Sequence, residues 1–201
     1  MNATNSLTNE ELGSTAQRER RRRILAATVE LASEGGFDAV QMRAVSERAD
    51  VALGTLYRYF PSKIHLLVSA LHVQFEQAAA MMDGRTIPGE TPAERVLFVL
   101  EQNTRLMQKD PNLTDALTRA FMFADATVTT EIHAVGLLLT GILNQAMHPT
   151  SDEAPPTDDE VAVARVIGDV WLALLVGWVT GRTSTYEVSH NLSVAIDLLL
   201  R

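Results

Sequence analysis

Two segments, Met42–Ala49 and Leu53–Tyr59, constrain this chain most, because each has a helical pattern yet only about two turns of length. Helices under about 12 residues are marginal alone in water, so both must be held by a small domain. The turn Asp50-Val51-Ala52 joins them, and Pro61 stops the second just past Phe60. Leu56 and Phe60 are four apart and are expected to face a core. Leu53, Gly54, Thr55, Tyr57, Arg58 and Tyr59 are then expected to face outward.

A short helix of this kind fits the major groove of B-DNA, with its predecessor lying across the backbone. Tyrosine phenols can donate to phosphate oxygens while their rings lie along sugars. Gly54 would allow close approach, Leu53 would meet a thymine methyl, and Thr55 a methyl or a base edge. Arg43, early in the preceding helix, is a candidate for a guanine or a nearby phosphate. Lys63 opens the next helix, where its charge opposes the helix dipole; a phosphate docked there resolves the conflict. Arg20 and Arg22, within the run Arg20–Arg23, are expected at the flanking backbone or minor groove. Alone, such a run reads as a solvated helix start; beside a helix-turn-helix it favours DNA.

The formal net charge of -8 argues against a polyanionic partner only until its distribution is examined. Residues 14–63 carry nine basic and six acidic side chains, a balance of +3, whereas 64–201 carry eight and seventeen, a balance of −9. A basic head on an acidic body can engage DNA locally. The fold class expected is all-α with about nine helices: 17–32, 42–49, 53–59, 62–82, 92–109, 112–124, 128–147, 159–183 and 188–200. Gly35-Gly36 should end the first helix, and Ser62 should cap the fourth. No segment shows convincing strand alternation. The expected division is a loose tail over 1–13, a DNA-binding domain over 14–61 and a larger helical domain over 62–201. Pro149, Pro155 and Pro156 mark 148–160 as the least structured interior stretch.

Met42-Arg43-Ala44-Val45 followed by Val51-Ala52-Leu53-Gly54-Thr55-Leu56-Tyr57-Arg58-Tyr59-Phe60-Pro61-Ser62-Lys63 resembles the DNA-binding signature of TetR-family repressors over roughly residues 17–66. The resemblance implies an all-helical homodimer, with three DNA-binding helices and about six for ligand and dimer. Asp50 stands where a turn glycine is commoner, and Ala52 where a serine or threonine cap is commoner. Aspartate tolerates the left-handed conformation; the missing cap costs about 1 kcal/mol. Gln17–Leu25, Val40–Val45, Phe123–Ala126 and Ala164–Leu172 resemble, more narrowly, the branch of that family that represses sterol catabolism in actinobacteria. That likeness implies control of cholesterol-degradation genes, and release from a palindromic operator by a sterol-derived acyl-CoA thioester. A sensor of another lipid, a fatty acyl-CoA or a drug is the alternative within the family.

In the larger domain Val170–Val179 is apolar all round, so it must be covered on every side. One face would pack inward and the other meet a second subunit, unless all of it lies in an ordinary monomer core. Leu174 and Trp178 on this helix, with Leu192, Ile196 and Leu199 on the last, are expected at a four-helix dimer interface. Phe75, Phe98, Met107, Phe121, Met122, Phe123 and Trp171 are the bulky candidates for an apolar inducer pocket, with Asn103 and Thr104 as polar contacts and Asp125 as a buried acid. Arg105, Lys109, Arg119 and Arg165 are available for ligand phosphates. Each of these is an ordinary core or surface residue on the plainer reading. His65, His72, His133, His148 and His190 lack HExxH spacing, and no G-x-S-x-G or Walker sequence occurs, so no catalytic residues, metal or cofactor are expected. His65 and His72 read as surface histidines. Without cysteine, thiolate chemistry is excluded. Val170–Val179 is shorter than the ~20 residues a bilayer needs, and a cytoplasmic location is expected.

Overall fold

The computed structural model describes residues 14–82, 84–148 and 156–201. The tail over 1–13, Asp83 and most of the proline-rich stretch lie outside the described residues. Among those described there are nine α-helices and no strand: α1 (Thr15–Ala39), α2 (Met42–Arg48), α3 (Leu53–Tyr59), α4 (Lys63–Met82), α5 (Pro92–Lys109), α6 (Pro111–Met122), α7 (Thr129–Met147), α8 (Asp158–Val179) and α9 (Thr185–Leu199). A single 3₁₀ turn, Ala126–Val128, precedes α7.

Packing groups the chain differently from the linear division at 61/62. Among the described residues, one compact unit takes in those up to Gln74 together with Asp110–Val135; the other takes in those within Phe75–Lys109 and Gly136–Arg201. The difference arises because α6, distant in sequence, packs along α1. Ser33 Oγ donates to Asp110 Oδ2 at 2.5 Å, and Asn112 Nδ2 donates to the Ser33 carbonyl at 3.0 Å.

In the first unit, α1 starts on a Ser14–Gln17 capping box. It buries Ile24, Leu25, Thr28, Leu31 and Ala32 at helical spacings. The Thr28 hydroxyl donates to the Ile24 carbonyl, so no buried polar group is left unpaired there. The expected break at Gly35-Gly36 takes the form of a kink rather than an end. Gly36 adopts φ 67°, ψ −158°, a conformation open in practice to glycine alone, and a last helical turn resumes to Ala39. Asp50 adopts φ 51° in the α2–α3 turn, as its tolerance of the left-handed region leads one to expect.

In the second unit, a core of Val96, Val99 and Leu100 from α5, Ile142 and Leu143 from α7, Ile167, Trp171 and Leu175 from α8, and Leu192 and Ile196 from α9 is closed by Ile87 from the preceding loop. Trp171 Nε1 donates to Thr104 Oγ1 at 2.8 Å, and its ring meets Phe75 edge-on at 6.2 Å. Arg95 fastens the end of α7, donating to the carbonyls of Ala146 and Met147 at 2.8 Å each. The last two helices differ from the expected bounds. Val179 ends α8 because Gly181 takes φ 72°. A Ser184–Glu187 capping box then starts α9 three residues early.

Residues 126–147 and α8 are each long and apolar enough, by length and composition, to cross a membrane, with mean hydropathies of 1.4 and 1.8. The strict apolar run Val170–Val179 understated this, because alanine, glycine and valine before it extend the window. Helix α8 nonetheless exposes Arg165 and Asp169 in mid-course and sets Ala164, Ile167, Trp171 and Leu175 into the core.

Candidate nucleic-acid interface

Helix α3 is held from below and open above. Leu56 is fully buried, Val45 of α2 likewise, and Ser46 closes the α2 side with its hydroxyl on the Arg43 carbonyl. Above them Leu53, Gly54, Tyr57 and Arg58 are exposed and Thr55 is half-buried. A Cβ placed on Gly54 would meet nothing within 4 Å. Glycine within a helix costs about 1 kcal/mol relative to alanine. Nothing in this chain's own packing accounts for a glycine at this position. Ala52 caps α3 without any side-chain hydrogen bond.

Tyr59 departs from the expected pattern. It is 1% exposed, whereas Tyr57 is 47% exposed. Three residues separate Leu56 from Tyr59, which brings both to the inner face, and Tyr59 packs tilted against Phe60 at 6.4 Å. The outward set therefore loses Tyr59, whose ring belongs to the core beneath the helix, with the Arg58 guanidinium 6.0 Å from its centroid.

The arginines divide by environment. Arg21 is buried, its guanidinium 5.5 Å from the Phe60 ring centroid, so one member of the run anchors α1. Arg22 is exposed and pairs with Glu19 through two contacts at 2.7 and 2.9 Å. That pairing holds the Glu19 carboxyl below its usual range, chiefly through the hydrogen bond from Arg22. Arg43, with its side chain 84% exposed, pairs with Glu47 at 3.2 Å. Exposed pairs of this kind contribute about 0.2–1 kcal/mol, so a phosphate can displace either carboxylate. Arg20 is half-buried. Arg48, not singled out from the sequence, binds Glu34 at 2.8 and 3.0 Å and Glu30 at 3.4 Å, tying α2 to α1.

Lys63 sits half-buried at the start of α4 with Nζ 3.7 Å from the Phe37 ring centroid. Burial lowers its pKa, and the Asp38 carboxylate opposes that shift. The cation is thus positioned by an aromatic face that the sequence reading passed over. His65, expected at the surface, is buried between Ser62 Oγ (2.9 Å from Nδ1) and the Thr127 carbonyl (3.1 Å from Nε2). A buried ring with hydrogen bonds on both nitrogens reads as a strut between α4 and the turn before α7.

The candidate inducer residues scatter. Phe75, Phe98 and Met107 pack, half-buried, against the second unit's core around Trp171. Asn103 donates to the Val99 carbonyl on its own helix at 2.9 Å, and Thr104 to Leu100 at 2.7 Å. Phe121, Met122 and Phe123 belong to the first unit. Met122 and Phe123 are exposed there, Phe123 at 60%, because α6 ends at Met122 and its inner face is already spent on α1. Phe123 meets Phe37 edge-on at 6.2 Å. Asp125 is exposed rather than a buried acid: it caps Thr127 at 2.8 Å, and the Thr127 hydroxyl hydrogen bond holds its carboxyl low. Arg105 and Arg119 pair along their own helices with Glu101 and Asp115, while Lys109 and Arg165 are exposed.

The expected dimer residues divide as well. Leu192 and Ile196 are fully buried in the second unit's own core, because they form the face of α9 turned towards Trp171 and Leu175. Leu174, Trp178 and Leu199 are half-buried. The large apolar side chains left exposed on these helices are Val166 on α8 and Tyr186, Val194 and Leu198 on α9, the last at 57%.

Residues 24–70 match the tetR family of bacterial regulatory proteins, and residues 89–199 match the tetracycline-repressor-like C-terminal domain. The chain is 54% identical over 198 residues to the HTH-type transcriptional repressor KstR of Rhodococcus jostii, covering 98% of this chain and 91% of that protein. It is 50% identical over 194 residues to KstR of Mycobacterium tuberculosis, covering 96% and 86%. A solved TetR transcriptional regulator from Rhodococcus sp. RHA1 superposes with a TM-score of 0.81 at 33% identity, over 93% of this chain and 98% of that one. FadR from Bacillus subtilis, solved with stearoyl-CoA, has a TM-score of 0.61 at 21% identity over 89% and 97%, a likeness of fold.

Proposed function

The chain belongs to the TetR family and is a DNA-binding transcriptional repressor, not an enzyme, and from that premise we propose that it represses sterol-catabolism genes and is released from its operator by a sterol-derived acyl-CoA thioester. The observation that carries the DNA half is α3, fastened by Leu56 and Tyr59 and bare over Leu53, Gly54, Tyr57 and Arg58. Leu53 and Thr55 read base edges, Gly54 allows the backbone close, Tyr57 and Arg58 hold the phosphate–sugar rail, and Arg20, Arg22, Arg43 and Lys63 bind flanking phosphates. The sterol assignment is supported by the likeness to KstR across both domains.

Reading a palindrome requires two recognition helices about 34 Å apart, hence a homodimer. Val166, Val194 and Leu198, with the half-buried Leu174, Trp178 and Leu199, supply the exposed apolar surface for it on α8 and α9. The apolar inducer lies against Phe75, Phe98, Met107 and Trp171. Effector and operator then compete through one conformational equilibrium, each weakening the other by the same factor. A protein that binds chromosomal DNA in this way works in the cytoplasm.

The test is a gel-shift titration on duplex fragments selected from genomic DNA by the purified protein. A sterol-derived acyl-CoA is expected to release the protein at concentrations where stearoyl-CoA and free CoA do not. Release by stearoyl-CoA alone would assign the chain to fatty-acyl sensing; binding of the sterol thioester without loss of operator affinity would end the induction reading.

A further inference from the structure

Between α5 and α9 of the second unit lies a cleft of about 460 Å³, open to solvent on one side. Its charges are already matched. Arg105 donates to Glu101 Oε2 at 2.6 Å, and the Ser189 hydroxyl donates to Glu101 Oε1 at 2.8 Å. An anion entering here would meet Glu101, and a cation would meet Arg105. Leu192 and the ring of Tyr186 supply apolar wall. One polar group stands apart: the side-chain amide nitrogen of Gln108 is buried, with no hydrogen-bond partner among the described residues. A buried donor left unpaired is costly, so the amide gives up no bond by turning into the cleft towards an acceptor.

We propose that this cleft binds a small neutral amphiphile bearing a carbonyl oxygen, which accepts from the Gln108 amide while its hydrocarbon body lies against Leu192 and Tyr186. The volume falls in the range of ordinary ligand sites, about 300–1,000 Å³. The cleft adjoins the core against which the inducer is proposed to lie and shares Leu192 with it, but Gln108 and Tyr186 belong to the cleft alone, and its test does not pass through DNA. Thr104 links the cleft to an intrinsic reporter, because it lines the cleft and accepts the Trp171 indole N–H.

The chain has two tryptophans, so Trp178→Phe leaves Trp171 as the sole emitter. Titrating that full-length variant with 2-octanone is expected to give a saturable change in emission. Adding Gln108→Met should weaken 2-octanone binding at least tenfold while raising the melting temperature of the ligand-free protein, since an unpaired buried amide is replaced by an apolar side chain of similar length. Tyr186→Ala, at a residue 75% exposed whose ring stacks on His190 at 5.9 Å, should also weaken binding severalfold. Octanoate should bind at least tenfold more weakly than the ketone. The proposal is overturned if 2-octanone gives no saturable change, if Gln108→Met and Tyr186→Ala leave its affinity intact, or if octanoate binds as tightly.

Discussion

The adjacent tyrosines of α3 make opposite predictions, and substituting each separates reading of DNA from support of the reading helix. Tyr57 is nearly half exposed, on the face proposed to meet the groove; Tyr59 is 1% exposed. A hydroxyl donating to a charged acceptor contributes about 1.5–3 kcal/mol. At about 1.5 kcal/mol per half-site, Tyr57→Phe costs a palindrome-bound dimer about 3 kcal/mol, roughly a hundredfold in affinity. Tyr59→Phe keeps the buried ring and should leave operator affinity and melting temperature unchanged. Tyr59→Ala removes the ring from the core and should cost about 3–5 kcal/mol of stability. For a chain of this size that is a fall of roughly 6–20 °C. Fluorescence anisotropy on a labelled operator duplex at fixed salt reads the first effect, and thermal denaturation followed by circular dichroism reads the second. If Tyr59→Phe weakened operator binding as much as Tyr57→Phe, the assignment of the two faces would be wrong.

Ala52→Ser supplies the side-chain cap α3 lacks and should add about 1 kcal/mol, a rise of roughly 2–4 °C in melting temperature; no rise would mean the α3 N-terminus is satisfied some other way. Leu198→Glu, on the exposed face of α9, should shift the purified protein from dimer to monomer by analytical ultracentrifugation without loss of helicity, and a persisting dimer would place the interface elsewhere. Arg20→Ala should reduce the slope of log affinity against log salt by about 1 per subunit; an unchanged slope removes it from the phosphate contacts. The Glu160 and Glu187 carboxyls are held below their usual range, Glu160 chiefly by the Thr157 backbone N–H and Glu187 chiefly by the Ser184 hydroxyl. A carboxyl with a lowered folded pKa contributes stability above its unfolded value and loses it as pH falls through the folded one. The melting temperature should therefore drop on acidification through the carboxylate range, and Glu187→Gln should flatten that drop; parallel curves would show the α9 capping box to be idle.

Helix identity was legible in the chain because it depends on local terms. The spacing of Ile24, Leu25, Thr28 and Leu31, the proline at 61, and the left-handed tolerance of Asp50 each act within a turn or two of themselves. The same holds for the short helix pair and its TetR-like residues, which is why the function class could be read from them. Periodicity can mark an apolar stripe but carries no information about what covers it. Leu192 and Ile196 made as good a dimer stripe as any until the fold turned them onto Trp171, leaving Leu198 outside. Tyr59, Arg21 and His65 were misjudged for the same reason: side-chain chemistry suggests the surface, whereas neighbours far along the chain decide burial. Only tertiary packing could join α6 to α1, set Lys63 over Phe37, or leave the Gln108 amide buried without a partner, because each depends on residues brought together across distances that local propensity does not sense.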